Sequence, residues 1–200
     1  MPLLIIEGGE GSGKDTQINL LKERLDPEHT VFVREPGGTE LGEKMRAILL
    51  TETMAPETEL FLFLAARTEL VHNVIGPALL RGKLVVSNRF ELSTIAYQIY
   101  GRQRHNLLEP FRAFSKNIFG VMKPYYILID IEPCLGLQRV KSRGDGETTF
   151  DAETLEFHER VQKGFLTHYN DDNRGVCVDG ADSVEEISRQ IARQMKRWHL

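Results

Sequence analysis

The chain of 200 residues predicts an α/β fold of three layers around a parallel central sheet. Short apolar runs alternate with longer amphipathic stretches from end to end, the pattern of strands joined by crossover helices. The first apolar run, Pro2 to Glu7, stops at a glycine-rich turn, and a helical stretch begins directly after it. Tyr125 to Ile131 is almost continuously apolar, as a central parallel strand covered on both faces must be.

The elements can be taken in chain order. After the turn, Ile18, Leu21 and Leu25 recur at helical spacing until Pro27. Thr30 to Val33 reads as a second strand and Glu40 to Leu50 as a helix. Glu57 to Leu80 is a long helical stretch closed by Gly82. Leu84 to Ser87 is a third strand, and Ser93 to Tyr100 and Leu108 to Phe119 are helical. Pro133 opens a helix to about Ser142, Asp151 to Tyr169 is helical again, Gly175 to Val178 is a last strand and Val184 to Trp198 a last helix. No repeat or long linker divides the chain, so residues 1–200 are expected to be one domain. Insertions near 101–106 and 143–149 are natural places for mobile lids.

Composition narrows the class. Hydrophobic residues at 41% and charged residues at 27% describe a soluble globular protein. A formal charge of −4 gives no reason to expect nucleic acid as a partner. No apolar run approaches a membrane span, and the early strand leaves no room for a leader, so a cytoplasmic protein is expected. The two cysteines, Cys134 and Cys177, lack metal-ligand spacing and read as buried free thiols.

The turn carries the chemistry. Gly8 to Asp15, GGEGSGKD, obeys the phosphate-loop pattern until its last position, where Ser or Thr gives way to Asp15. Backbone N–H groups of Gly8, Gly11, Ser12 and Gly13 can converge on phosphate oxygens, with the helix N-terminus adding positive potential. Lys14 would reach the β- and γ-phosphates, and Thr16 stands next along the helix. This predicts a nucleotide and leaves kinase, GTPase and ATP-driven machine open. Two further features are compatible with a second ligand, and also with plain core packing of Phe63 and a surface place for Arg89. Phe63 and Arg67 are four apart on one helical face, and Arg89 comes directly after a strand, at the sheet edge where α/β enzymes bind ligands. An arginine such as Arg67 in an apolar helix needs a carboxylate or a ligand beside it. Asp130, at a strand end, fits a loop or cap role better than a metal site.

Four segments in order, GGEGSGKDTQ, REPGGT (34–39), LFLFLAARTE (60–69) and NRFELSTIAYQ (88–98), resemble the thymidylate kinase family of P-loop nucleoside monophosphate kinases over nearly the whole chain. The resemblance implies a P-loop kinase fold with a small lid at about 143–150, ATP and Mg²⁺, and phosphorylation of dTMP to dTDP. Kinases for another deoxynucleoside monophosphate such as dUMP, or a nucleotide-binding relative with little turnover, are the alternatives. It places Glu10 near the acceptor 3′-hydroxyl, Arg34 at the acceptor site, and Arg89 on the acceptor phosphate. Phe63 would stack on the base beside Arg67, with Thr94 and Gln98 facing it and Tyr97 under the sugar. Lys14, Arg89 and Arg143 would act on the transferring group, with Arg139 a turn before Arg143 on the ATP side. A homodimer through helices near the acceptor site is also implied; the apolar-rich 57–80 helix is a candidate surface, where a dimer face and a core face read alike in sequence.

Two departures stand out. The family usually has Asp before the strand-end arginine, where this chain has Asn88; an amide keeps one acceptor and loses the charge. The lid segment, RGDGETTFD, lacks the usual Asp-Arg pair. Asp15 can ligate magnesium, turn away, or leave the place to Thr16. We read Asp15 as lying near the metal, directly or through a water. Asn88 is then connected, since a second carboxylate would crowd one ion with negative charge.

Overall fold

The computed structural model describes residues 2–120, 122–143, 148–169 and 174–200, with the backbone alone at 143. Most of the segment expected as a lid, and the side chain of Arg143, lie outside the described residues. Five strands, β1 (Leu3–Gly8), β2 (Thr30–Arg34), β3 (Leu84–Asn88), β4 (Tyr125–Asp130) and β5 (Gly175–Asp179), form one sheet in the order β2-β3-β1-β4-β5. All neighbours are parallel. The run expected as the central strand is β4, paired on both edges but one place from the centre, which β1 holds.

Alternation along β1 explains the layers. Leu4 and Ile6 face one side and pack with Ile18 and Leu21 of α1 (Lys14–Arg24) and with Ile187, Ile191 and Met195 of α9 (Val184–Arg197). Leu3 and Ile5 face the other and meet Leu70, Ile75, Leu79 and Phe119. Helices thus cover both faces of the central strand, as a parallel sheet requires. Register then builds the site: Arg34 pairs with Asn88, and Asn88 with Ile6, so the ends of β2 and β3 arrive beside the start of the glycine turn.

The remaining helices are α2 (Glu40–Thr51), α3 (Pro56–Leu70), α4 (Gly76–Leu80), α5 (Glu91–Thr94), α6 (Leu108–Phe119), α7 (Pro133–Arg143) and α8 (Leu155–His168). Two expected helices carry π turns. Val71–Ile75 joins α3 to α4, and Ile95–Gly101 extends α5. A π turn adds one residue and rotates the rest of the helix by about 100°, which apolar spacing alone does not reveal. The helix expected from Asp151 starts at Leu155, because Thr154 caps it by accepting from the Phe157 N–H, and Asp151 instead accepts from the Thr148 N–H and hydroxyl.

One expectation is corrected. Cys134 and Cys177 are exposed rather than buried, one in the first turn of α7 and one on edge strand β5. An edge strand has only part of its face covered, and that places Cys177 outward. In the 101–106 segment Arg102 pairs with Glu59 and Glu153, and Arg104 with Glu57. Asp130 takes a bracing role, its Oδ1 accepting from Gln162 of α8 at 3.0 Å.

Candidate active site

The glycine turn is held in shape by backbone contact. Gly11 (φ 69°) and Gly13 (φ 92°) adopt left-handed backbone that favours glycine. A Cβ on Gly11 would collide with the backbone of Gly136 in α7, and one on Gly136 would strike the Glu10 carbonyl. Arg139, one turn along α7, donates to the Gly180 carbonyl at 2.7 Å and the Gly11 carbonyl at 3.4 Å. These contacts tie α7 to the glycine turn and to the loop after β5. Lys14 is buried; its ammonium donates to the Gly9 carbonyl at 2.7 Å and to Ser12 Oγ at 3.3 Å. Burial, and then Arg89, pull its pKa down to about 8 against the carboxylates of Glu10 and Asp15. Ser12 is buried, while Asp15 and Thr16 are exposed on the first turn of α1.

Beside the loop lies a cavity of about 450 Å³. It gathers every residue expected around an acceptor: Glu10, Arg34, Phe63, Arg67, Asn88, Arg89, Thr94, Tyr97 and Gln98, together with Lys14 and Asp15. Thr16 and Arg139 are not in its wall. Arg34 is exposed, its Nη2 donating to Glu43 at 2.8 Å. Arg89 sits at the end of β3 with a left-handed φ of 73°, a strained conformation for a side-chain residue that functional sites retain. The turn aims its guanidinium back over the loop. Nη1 donates to the Gly8 carbonyl at 3.1 Å and Ser93 Oγ at 3.0 Å, and Nη2 to Glu10 at 2.7 Å. The guanidinium also lies 4.9 Å from the Tyr97 ring centre, and the Tyr97 hydroxyl donates to Glu10 at 2.8 Å. Burial works against charge on Glu10, but Arg89, Lys14 and the Tyr97 hydroxyl outweigh it and bring the carboxyl to about 2.

Deeper in, Arg67 meets the carboxylate its burial demands. Nε donates to Glu35 Oε2 at 2.7 Å and Nη2 to Thr94 Oγ1 at 2.8 Å. Glu35 Oε1 and Arg67 Nη1 are buried without a hydrogen-bond partner among the described residues. Burial pushes the Glu35 carboxyl up to about 7 against the pull of Arg67. Phe63, one turn before Arg67, is partly buried, with its ring centre 6.1 Å from that of Phe150. Gln98 donates to Glu59 at 2.9 Å.

Several site residues are not evident from sequence. Glu7 is fully buried at the end of β1 and accepts from the Phe90 N–H (2.8 Å), the Ser93 N–H (3.1 Å) and Ser93 Oγ (2.5 Å). It thereby holds the turn that carries Arg89. Its one signal is an acid closing an otherwise apolar strand. Arg46 and Phe150 also line the cavity. Arg46 donates to the Pro36 carbonyl at 2.9 Å, and nothing in the α2 pattern marks it.

The residues present fit a nucleotide's magnesium. Mg²⁺ is held by one or two carboxylates with phosphate oxygens and water. Asp15 offers a hard oxygen donor directly after Lys14, and the described residues contain no group of three or more candidate ligands that would suggest a protein-enclosed metal.

A parallel sheet of this order, with a phosphate loop on its central strand and an arginine-lined cavity beside the loop, defines a P-loop nucleoside monophosphate kinase. The family model for thymidylate kinase matches residues 6–191. The thymidylate kinase of Carboxydothermus hydrogenoformans is 44% identical over 193 residues, covering 94% of this chain and 93% of that one. That of Pseudoalteromonas translucida is 39% identical over 98% of this chain and 95% of the other. The crystal structure of thymidylate kinase from Ehrlichia chaffeensis superposes with a TM-score of 0.78 at 27% identity, covering 98% of both chains. The chain belongs to the thymidylate kinase family.

Proposed function

We propose that this chain transfers the γ-phosphoryl group of ATP to dTMP, giving ADP and dTDP. The observation that supports it most directly is the convergence of Arg89, Glu10, Tyr97, Arg67 and Phe63 on one cavity beside Lys14. An oxygen of the dTMP phosphate forms the new bond to the γ-phosphorus, and the bond to the β–γ bridging oxygen breaks as ADP leaves. That phosphate oxygen is ionised at neutral pH, so no strong base is needed, and the residues present position two anions and neutralise spreading charge. In this reading Lys14 leaves its carbonyl and hydroxyl partners for the transferring group, and Arg89 turns its fork to the acceptor phosphate. The loop N–H groups from Gly8 to Gly13 cradle the donor phosphates. Asp15 would hold the magnesium, which supplies positive charge to the donor phosphates. Arg139 steadies the loop, and Arg143 approaches from the lid. Phe63 stacks on the base, Arg67, Thr94 and Gln98 define its polar edge, and Arg34 and Glu10 lie on the acceptor side.

ADP formation from ATP, with and without dTMP at fixed magnesium, tests the function. A panel of nucleoside monophosphates then tests the base. A best substrate other than dTMP, or no acceptor-dependent ADP, would reject it.

The sugar is tested separately. The Tyr97 hydroxyl is tied to Glu10 and its ring is wedged edge-on against Phe150 and Phe165, so it has little freedom to make room for a 2′-hydroxyl. Tyr97→Ala is expected to shrink the kcat/KM preference for dTMP over its ribo form by ~10-fold or more. An unchanged ratio would remove Tyr97 as the gate.

The homodimer and cytoplasmic location belong to the same proposal. No helix among the described residues is long and apolar enough to cross a membrane. The stretch from α3 to α4 leaves Phe61 and Leu80 exposed, which supports a second copy docking there.

A further inference from the structure

The two residues that break the phosphate-loop pattern touch each other. P-loop enzymes hold magnesium with a Ser or Thr hydroxyl at the position of Asp15 and an Asp from a neighbouring strand. Asn88 ends β3, the neighbour of β1, and its Nδ2 donates to Asp15 Oδ1 at 2.7 Å. That bond fixes how the amide stands, because the reverse orientation would set two acceptors against each other. The outward oxygen is then the Asp15 carboxylate. Asn88 Oδ1 is turned inward, buried and without a donor among the described residues. A carboxylate at 88 would face Asp15 and also bury an ionised oxygen with nothing to satisfy it. The amide is the side chain this place accepts while position 15 carries the charge.

We propose that Asp15 and Asn88 act as one unit. Asp15 carries the single negative charge toward the nucleotide's magnesium, and Asn88 is the positioning residue that holds it there. The pair has the same net charge as a hydroxyl plus an aspartate, with the charge moved from the strand end to the phosphate-loop helix. The inference rests on the phosphotransfer reading above.

Four proteins test it: wild type, Asp15→Thr, Asn88→Asp and the double variant. The readouts are thermal denaturation, and calorimetric binding of ATP in EDTA and in excess magnesium. Asp15→Thr is expected to tighten metal-free ATP binding and to reduce the magnesium enhancement of affinity at least about tenfold, since a charge beside the metal is lost. Asn88→Asp alone is expected to lower Tm by ~4 °C or more and to weaken metal-free ATP binding. The double variant should return to within about threefold of the wild-type enhancement, and the Tm loss from Asn88→Asp should be smaller in the Asp15→Thr background, because the repulsion from Asp15 is gone while the buried oxygen at 88 remains. An enhancement unaffected by Asp15→Thr would overturn the proposal. So would an Asn88→Asp Tm loss of equal size in both backgrounds. These are binding and stability results, so they separate from the function test: wild-type ADP formation with dTMP can stand while the pair fails.

Discussion

Arg89→Ala is expected to lower kcat/KM for dTMP by at least ~100-fold, most of it through a raised KM, while the dissociation constant for ATP changes far less. The guanidinium stands at the end of β3, with its two terminal nitrogens spread over the Gly8 carbonyl, Ser93, Glu10 and Tyr97. A planar fork in that position can grip a phosphate with two parallel bonds, and a lysine cannot reproduce them. Arg89→Lys is therefore expected to recover less than a tenth of the lost kcat/KM. The alanine variant also strips Glu10 of the arginine that does most to keep its carboxyl near 2. Isothermal titration with each nucleotide separately checks the assignment. Equal losses of ATP and dTMP affinity would place Arg89 on the donor side or in the loop's own framework.

The largest effect on stability is expected at Arg67. Its side chain is 2% exposed and that of its partner Glu35 is 4% exposed. Removing one member of such a pair leaves the other buried and uncompensated, a loss of about 3–5 kcal/mol. For a chain of this size Arg67→Ala should then lower Tm by ~10 °C. Replacing both, Arg67→Met with Glu35→Gln, removes the stranded charge and should restore most of the stability. It should still leave the KM for dTMP raised ~10-fold or more, because no arginine faces the base. Recovery of both properties in the double variant would make the pair purely structural.

The same carboxyl gives a pH dependence. Glu35 is raised to about 7 in the folded chain from an ordinary value of 4.5. Between those values the folded state holds a proton that the unfolded state has released. Wild-type stability relative to Glu35→Gln should thus fall as pH rises from about 4.5 to 7 and level off above. Urea denaturation at both ends of that window measures it, and a relative stability that rises with pH would contradict the direction.

Much of the fold is visible in local pattern. The strand, glycine turn and lysine-headed helix are contiguous, and their signal is periodicity and turn chemistry within about twenty residues. The four ordered segments also carry the family, because they name side chains rather than shapes. The π turns at Val71–Ile75 and Ile95–Gly101 are not visible, since one inserted residue leaves the apolar count of a helix almost unchanged. The exposed cysteines are not visible either, because composition says how often cysteine is buried, whereas exposure depends on which strand is at the edge.

What the sequence determined by itself is the set of chemical groups: a phosphate loop with a carboxylate at its eighth position, an arginine in an apolar helix, another at a strand end, and a tyrosine nearby. What only the tertiary structure decided is how they are paired. Arg67 meets Glu35 across 32 positions, Asp15 meets Asn88 across 73, and Glu7 reaches the Phe90 N–H across 83. Such pairings are set by strand register and by how each helix packs on the sheet, and neither is written in the spacing of neighbours. In a buried site every charge must find a partner, so the fold that brings the partners together also decides which residues are left to meet the substrate.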